Sequence, residues 1–190
     1  METSTGGRGA RERLLRAAAE LFYTEGINAT GMDRLTTVAH VSKRTFYQHF
    51  PSKAALVEAY LDRYTTGQAP SREQALDRDD LSPRDRLLEL FGQRPTDGGP
   101  IRGCPFHNAA VETAGTLPAV QAQVARHKQD FTGRLIGTAR EAGARDPESL
   151  GRQLAVLLEG VTALSTSLND SCPADDARAA ARTLIDASLP

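Results

Sequence analysis

The stretch Leu35-Thr36-Thr37-Val38-Ala39-His40-Val41-Ser42-Lys43-Arg44-Thr45-Phe46-Tyr47-Gln48-His49-Phe50-Pro51-Ser52-Lys53 decides the fold. Its middle, His40-Val41-Ser42, is too short to be anything but a tight turn. On the N-terminal side, Met32 to Ala39 sets Leu35, Val38 and Ala39 on one helical face. On the C-terminal side, a helix from Ser42 or Lys43 to Phe50 offers Phe46 and Phe50 to a core at i, i+4. Ser42 is a fitting N-cap, and Pro51 ends the helix because it disfavours helical backbone at Phe50. Ser52 then caps a further helix, about 52–66, with Leu56, Ala59, Tyr60 and Tyr64 on one face. Two short helices across a three-residue turn have the proportions of a helix-turn-helix.

With Phe46 and Phe50 turned inward, Ser42, Lys43, Arg44, Thr45, Tyr47, Gln48, His49 and the nearby Lys53 are the candidate DNA-contacting residues. Lys and Arg address guanine O6/N7 or phosphates, Gln pairs with adenine, and Thr bonds phosphate or touches a thymine methyl. Tyr47 and His49 suit phosphate oxygens. Lys53 opens a helix, where its ammonium adds to the positive end of the helix dipole. A polar face alone says little, since every surface helix has one. Here it coincides with the turn spacing, a local charge excess, Lys53 at a helix start, and no acidic residue between Arg34 and Glu58.

The whole chain of 190 residues carries 23 Lys+Arg against 24 Asp+Glu, a net charge of −1 that hides an asymmetry. Arg8 to Lys53 holds 8 basic and 4 acidic residues, whereas Ala54 to Pro190 holds 15 basic and 19 acidic. A basic head on an acidic body points to a polyanion partner for the head alone.

Outward from the turn, everything reads as helix. Residues 1–7 read as a disordered tail. A helix from Gly9 to Glu25 carries Leu14, Leu15, Ala18, Leu21 and Phe22 at helical spacing, with Gly26 at its C′ position. Gly67 to Ser71 interrupts the fourth helix, and Gln74 to Asp80 is open between helix and loop. Ser82-Pro83 caps a helix through Phe91, and Arg94 to Gly103, with two Pro and three Gly, is a loop. Helices follow near Phe106 to Ala114, Leu117 to Ala142, Pro147 to Leu168 and Pro173 to Leu189. No stretch alternates with period two, and Ala and Leu outweigh Val and Ile. The expected fold is all-α, of about nine helices.

The run from Asn28-Ala29-Thr30 through Tyr47-Gln48-His49-Phe50-Pro51-Ser52-Lys53 resembles the DNA-binding domain of TetR-family transcriptional regulators. Ala18-Ala19-Glu20-Leu21-Phe22 and Glu25-Gly26 match the family's first helix, so the likeness covers about the first 60 residues. Gly103 to Glu112 resembles a segment of one branch of the family. Three positions depart from the pattern. His40 stands where the turn usually has Gly, Arg44 where a small residue or Pro is common, and Met32 where many relatives carry a phosphate-binding Thr. The resemblance implies a helix-turn-helix domain over 8–53, joined through the fourth helix to a regulatory domain over 54–190. It also implies a homodimer that binds double-stranded operator DNA, most often as a repressor, and releases it to a small-molecule effector. Dimerisation is expected through the helices at 147–168 and 173–189. The first has apolar residues on more than one face (Leu150, Leu154, Val156, Leu157, Leu158, Val161, Leu164) and the second is rich in Ala.

Effector-lining candidates are Phe91, Cys104, Phe106, His107, Asn108, Val111, Phe131 and Leu135, around the Gly/Pro-rich loop and on the long helix. Plain packing is the commoner use of such Phe and Leu residues, and a satisfied structural pair is the alternative for His107 and Asn108. Cys104 and His107 at i, i+3 are two metal ligands without a third, so no metal is expected. The rival reading is a helical interaction or redox-sensing module built on Cys104, with weak or no specific DNA binding. No Walker, GxGxxG, HExxH or GxSxG motif is present; no catalytic residue and no cofactor are expected. Neither a signal peptide nor a membrane span is read, which leaves the cytoplasm as the expected compartment. Cys104 and Cys172 form no CxxC pair, and no disulfide is expected.

Overall fold

The computed structural model describes residues 5–92 and 100–190. Among them are nine α-helices and no strand: α1 Thr5–Thr24, α2 Met32–Val38, α3 Lys43–His49, α4 Lys53–Thr65, α5 Pro83–Glu89, α6 Pro105–Glu112, α7 Pro118–Glu141, α8 Pro147–Leu168 and α9 Pro173–Ser188. Gln74 to Asp80, left open by the sequence, is partly a 3-10 segment, Arg72–Asp77. Helix α1 begins inside the stretch expected as a tail; residues 1–4 lie outside the described ones. Extending an existing helix adds a hydrogen bond per residue without a new nucleus, so even Gly6 and Gly7 can join it. Most of the expected 94–103 loop, residues 94–99, also lies outside the described residues.

The chain forms two compact units. The first runs to Ala69 and takes in Cys104–Ala125; the second holds Pro70–Gly103 and Arg126–Pro190. In the first, Leu14, Leu15, Ala18, Leu21 and Phe22 of α1 meet Leu35 of α2, Phe46 of α3, Phe50 and Leu56, Val57, Tyr60 and Leu61 of α4. Phe106 and Ala109 of α6 join the same core. Edge-to-face rings run through it, Phe22–Tyr60 at 5.6 Å, Tyr60–Tyr64 at 5.6 Å and Tyr64–Phe106 at 6.3 Å. The apolar face of α4 completes the core of the first unit, and α6 belongs to that core too.

The local devices follow the sequence. Gly26 takes φ +96°, its N–H donates to the Leu21 carbonyl at 3.2 Å, and Ile27 folds back and is buried. Ser42 and Ser52 cap α3 and α4 by accepting from the N–H groups of Thr45 and Ala55. Phe50, before Pro51, is extended at φ −134°, ψ 115°. His40 occupies the left-handed region at φ +51°, where the family pattern has Gly.

In the second unit, Leu87, Leu88, Leu90 and Phe91 pack with Phe131, Leu135 and Ala139 of α7, Leu150, Leu154, Leu158 and Val161 of α8, and Ala177, Ala181 and Ile185 of α9. Helices α7 and α8 approach at Gly151, where a Cβ would lie 2.5 Å from Ile136 Cγ1 and 2.8 Å from the Ile136 nitrogen. Asn169 ends α8 in the left-handed conformation, and its Oδ1 accepts the Ile101 N–H at 2.9 Å. Cys104 and Cys172 are both thiols.

Candidate nucleic-acid interface

Helix α3 has only two turns, so the side chains that avoid the core fall on one narrow face. Lys43, Arg44, Tyr47 and Gln48 are exposed, at positions i, i+1, i+4 and i+5. Tyr47 is 55% exposed and braces its ring edge-to-face on the buried Phe46 at 5.3 Å. Thr45 and His49 are half-buried. The hydroxyls of Ser42 and Thr45 lie 2.9 Å apart, and Ser42 Oγ also accepts the Thr45 N–H at 3.0 Å. These two residues hold the start of the helix and lie beside its exposed set.

The basic residues of this region differ in how far they are already neutralised. Arg44 has no ion-pair partner among the described residues, whereas Arg34 binds Glu25 at 2.9 Å and Lys43 binds Asp33 at 2.5 Å. The Asp33 carboxylate holds the Lys43 ammonium above the ordinary lysine range by hydrogen bonding and charge attraction. Lys53 is half-buried at the first position of α4. Burial draws its pKa down and the Glu112 carboxylate opposes that shift. A desolvated cation at a helix start keeps a strong field for a phosphate.

Glu112, at the end of α6, also fastens the turn between α1 and α2. It accepts the Asn28 N–H at 2.9 Å, while the Asn28 side-chain amide donates to the Glu112 carbonyl at 2.6 Å. A Cβ at Gly26 would lie 3.0 Å from this carboxylate. Sequence reasoning did not reach Asp33, Asn28 or Glu112. Asn28 and Glu112 are 84 positions apart and share no motif, so nothing local could pair them. Asp33 carried a faint signal, as the last acidic residue before the acid-free run to Glu58.

Met32, where a phosphate-binding Thr was missing, packs against the core of the first unit instead. The effector candidates divide between the units. Phe106 is buried in the core of the first, and the half-buried Cys104, which opens α6, packs against it. His107 and Asn108 are half-buried on α6, and Val111 is exposed. Phe91, Phe131 and Leu135 lie buried in the core of the second unit. The four Phe and Leu side chains are buried in cores, the use that the sequence reading held commoner for such residues, and neither unit holds all eight candidates.

Comparison with known proteins fits this geometry. Residues 14–60 match the model of bacterial regulatory proteins of the tetR family, and residues 85–181 match the tetracyclin repressor-like C-terminal domain. The transcriptional regulator AcuR of Cereibacter sphaeroides is 31% identical over 80% of this chain and 74% of its own length. The structure of a TetR-family transcriptional regulator from Streptomyces coelicolor superposes with a TM-score of 0.82 at 26% identity, covering 96% of this chain and 97% of that one. A TetR-type regulator from Streptomyces avermitilis is 33% identical, with a TM-score of 0.74 over 94% and 97% of the two chains. A helix-turn-helix head followed by a helical C-terminal part defines a class of DNA-binding transcriptional regulators, not enzymes. This chain belongs to the TetR family. Among the described residues no helix is long and apolar enough to cross a membrane.

Proposed function

We propose that the protein works as a homodimeric repressor that leaves a pseudo-palindromic operator when a small molecule binds its regulatory part. The observation that carries the reading is an uncovered apolar stripe on α8. Val156, Leu164 and Leu168 are 74%, 50% and 60% exposed, and Gly160 continues their four-residue spacing. Beside it in sequence, α9 exposes Ala179, Ala180, Thr183 and Ala187, small enough for close helix approach. A second copy would cover both faces as a four-helix bundle. It would also supply the second recognition helix, since one two-turn helix reads too few base pairs for useful specificity.

The link from effector to DNA runs through the first unit. Helix α6 ends in Glu112, which grips the α1–α2 turn through Asn28 and faces Lys53 at the start of α4. Displacing α6 would therefore act on two of the elements that set the DNA-contacting residues, by shifting the balance between binding and non-binding head arrangements.

Mobility-shift titration against the DNA upstream of the protein's own gene tests the reading. Salt-dependent binding is expected, with Arg44→Ala changing which sequences bind and Lys53→Ala weakening all alike. Equal losses for both variants on every sequence would remove Arg44 as a base reader. Leu164→Asp should halve the sedimenting mass and abolish the shift while leaving the helical spectrum intact; an unchanged mass would overturn the dimer interface.

A further inference from the structure

We propose that Asp33 limits the head's affinity for DNA, competing with phosphate for the Lys43 ammonium. The inference rests on α3 being the DNA-contacting helix, and goes beyond it by naming what limits its affinity. Four cations lie between residues 34 and 53: Arg34, Lys43, Arg44 and Lys53. Glu25 takes Arg34 and Asp33 takes Lys43, while Lys53 is half-buried in the field of Glu112. Arg44 and Lys53 form no ion pair among the described residues. Two of the four cations are thus paired with carboxylates before any duplex arrives.

The Lys43–Asp33 pair is built for exchange rather than for stability. The two side chains are 60% and 80% exposed, so water and salt reach both partners and the pair holds only weakly. The two residues sit on different helices, α2 and α3, and Lys43 can leave without disturbing the Ser42–Thr45 cap beside it. A phosphate oxygen accepts the same ammonium proton as the carboxylate does. Loose contact with any duplex leaves Lys43 on Asp33. A fully docked recognition helix brings a phosphate or base acceptor close enough to replace the carboxylate. Asp33 thereby lowers the affinity of both complexes: in the loose one it withholds Lys43 from the phosphates, and in the docked one the ion pair must first be broken.

The test is Asp33→Asn, which keeps the side-chain shape and removes the charge, measured in the full chain and again with Lys43→Met. The probes are a random-sequence duplex of about 30 base pairs, long enough for two half-sites, and a duplex the protein itself selects from a randomised pool. Asp33→Asn should tighten the random duplex about two- to fivefold and steepen its salt dependence by about one unit of log–log slope. The selected duplex should tighten at least as much, because there the parent protein breaks the ion pair on docking. With Lys43→Met in place, Asp33→Asn should leave both affinities almost unchanged. The same gain with Lys43 absent would show plain repulsion between Asp33 and the duplex and overturn the proposal, as would no gain at all. A parent protein that binds no duplex in a salt-dependent way would overturn the reading of α3 itself, and the inference with it. Matching thermal midpoints establish that each variant is folded.

Discussion

The two compact units handle charge and apolar surface in opposite ways. The first buries its aromatics from α1, α3, α4 and α6 and turns Arg44, Tyr47 and Gln48 outward on a two-turn helix. The second closes four of its arginines on carboxylates, Arg84 on Asp186, Arg86 on Glu141, Arg134 on Asp77 and Arg140 on Glu148, and leaves Val156, Leu164 and Leu168 uncovered. One unit leaves a cation and polar groups exposed on a short helix, and the other leaves apolar surface exposed on a long one. Their cores also differ in what closes them. Rings fill the first, whereas helix-to-helix contact at Gly151 closes the second.

Truncating a ring should therefore act on the first unit alone. Phe46→Ala removes a fully buried side chain from α3 and should cost about 3–5 kcal/mol. Hydrogen exchange should show protection lost across α1 to α4 while α8 and α9 keep theirs, and DNA binding should disappear. Equal loss across both units would break the comparison, by showing a single cooperative body.

The complementary change is Gly151→Ala. Its methyl group would meet Ile136 side chain and backbone at less than 3 Å, and backbone cannot yield as a flexible side-chain end does. Forcing α7 from α8 should cost about 1–3 kcal/mol, lowering the melting midpoint by roughly 3–10 °C. The exchange pattern should mirror that of Phe46→Ala, with α8 losing protection and α3 keeping it. Loss concentrated in α3 would reverse the assignment of the two cores.

How much of this could be read in advance follows from the range of the interactions. Ser42, Ser52 and Ser82 as caps, Pro51 as a stop and Gly26 as a C-terminal left-handed residue each act within about one helical turn, and each stands where its sequence neighbours place it. The exposure of Lys43, Arg44, Tyr47 and Gln48 was legible for the same reason, once Phe46 and Phe50 were turned inward. The Asn28–Glu112 clasp was not, because it joins turns 84 residues apart. Nor was the use of Phe106. A buried ring on a short helix reads the same whether it lines a ligand or, as here, packs beside Tyr64 in a core. Gly151 gave no sign either, as a helical glycine is informative only when the partner backbone is known.

A smaller loss should follow from opening the clasp. Asn28→Ala deletes the 2.6 Å side-chain bond to the Glu112 carbonyl and leaves the backbone bond to the carboxylate in place. One hydrogen bond at an exposed site contributes about 0.5–1.5 kcal/mol. The more telling measurement is operator affinity, which should fall further than stability does, since the α1–α2 turn sets where α2 begins. A drop in melting midpoint with affinity unchanged would confine Glu112 to a structural role.

The last change should stabilise. His40 holds φ +51° in the turn between α2 and α3, a region in which a side chain crowds its own carbonyl at a cost of about 1–2 kcal/mol. The turn keeps its backbone bonds, His40 N–H to Thr37 O at 3.1 Å and Val41 N–H to Thr36 O at 3.0 Å, so a residue without a Cβ can adopt the same path. His40→Gly relieves the crowding but loses more chain entropy on folding, which leaves a gain of about 0.5–1 kcal/mol and a rise of roughly 2–3 °C in melting midpoint. The imidazole is exposed and lies outside α3, so DNA affinity should not change. A lower midpoint would show that the imidazole compensates the strain it causes. Weaker DNA binding at an unchanged midpoint would place His40 beside the phosphates, and the turn would then belong to the interface as well as to the scaffold that presents it.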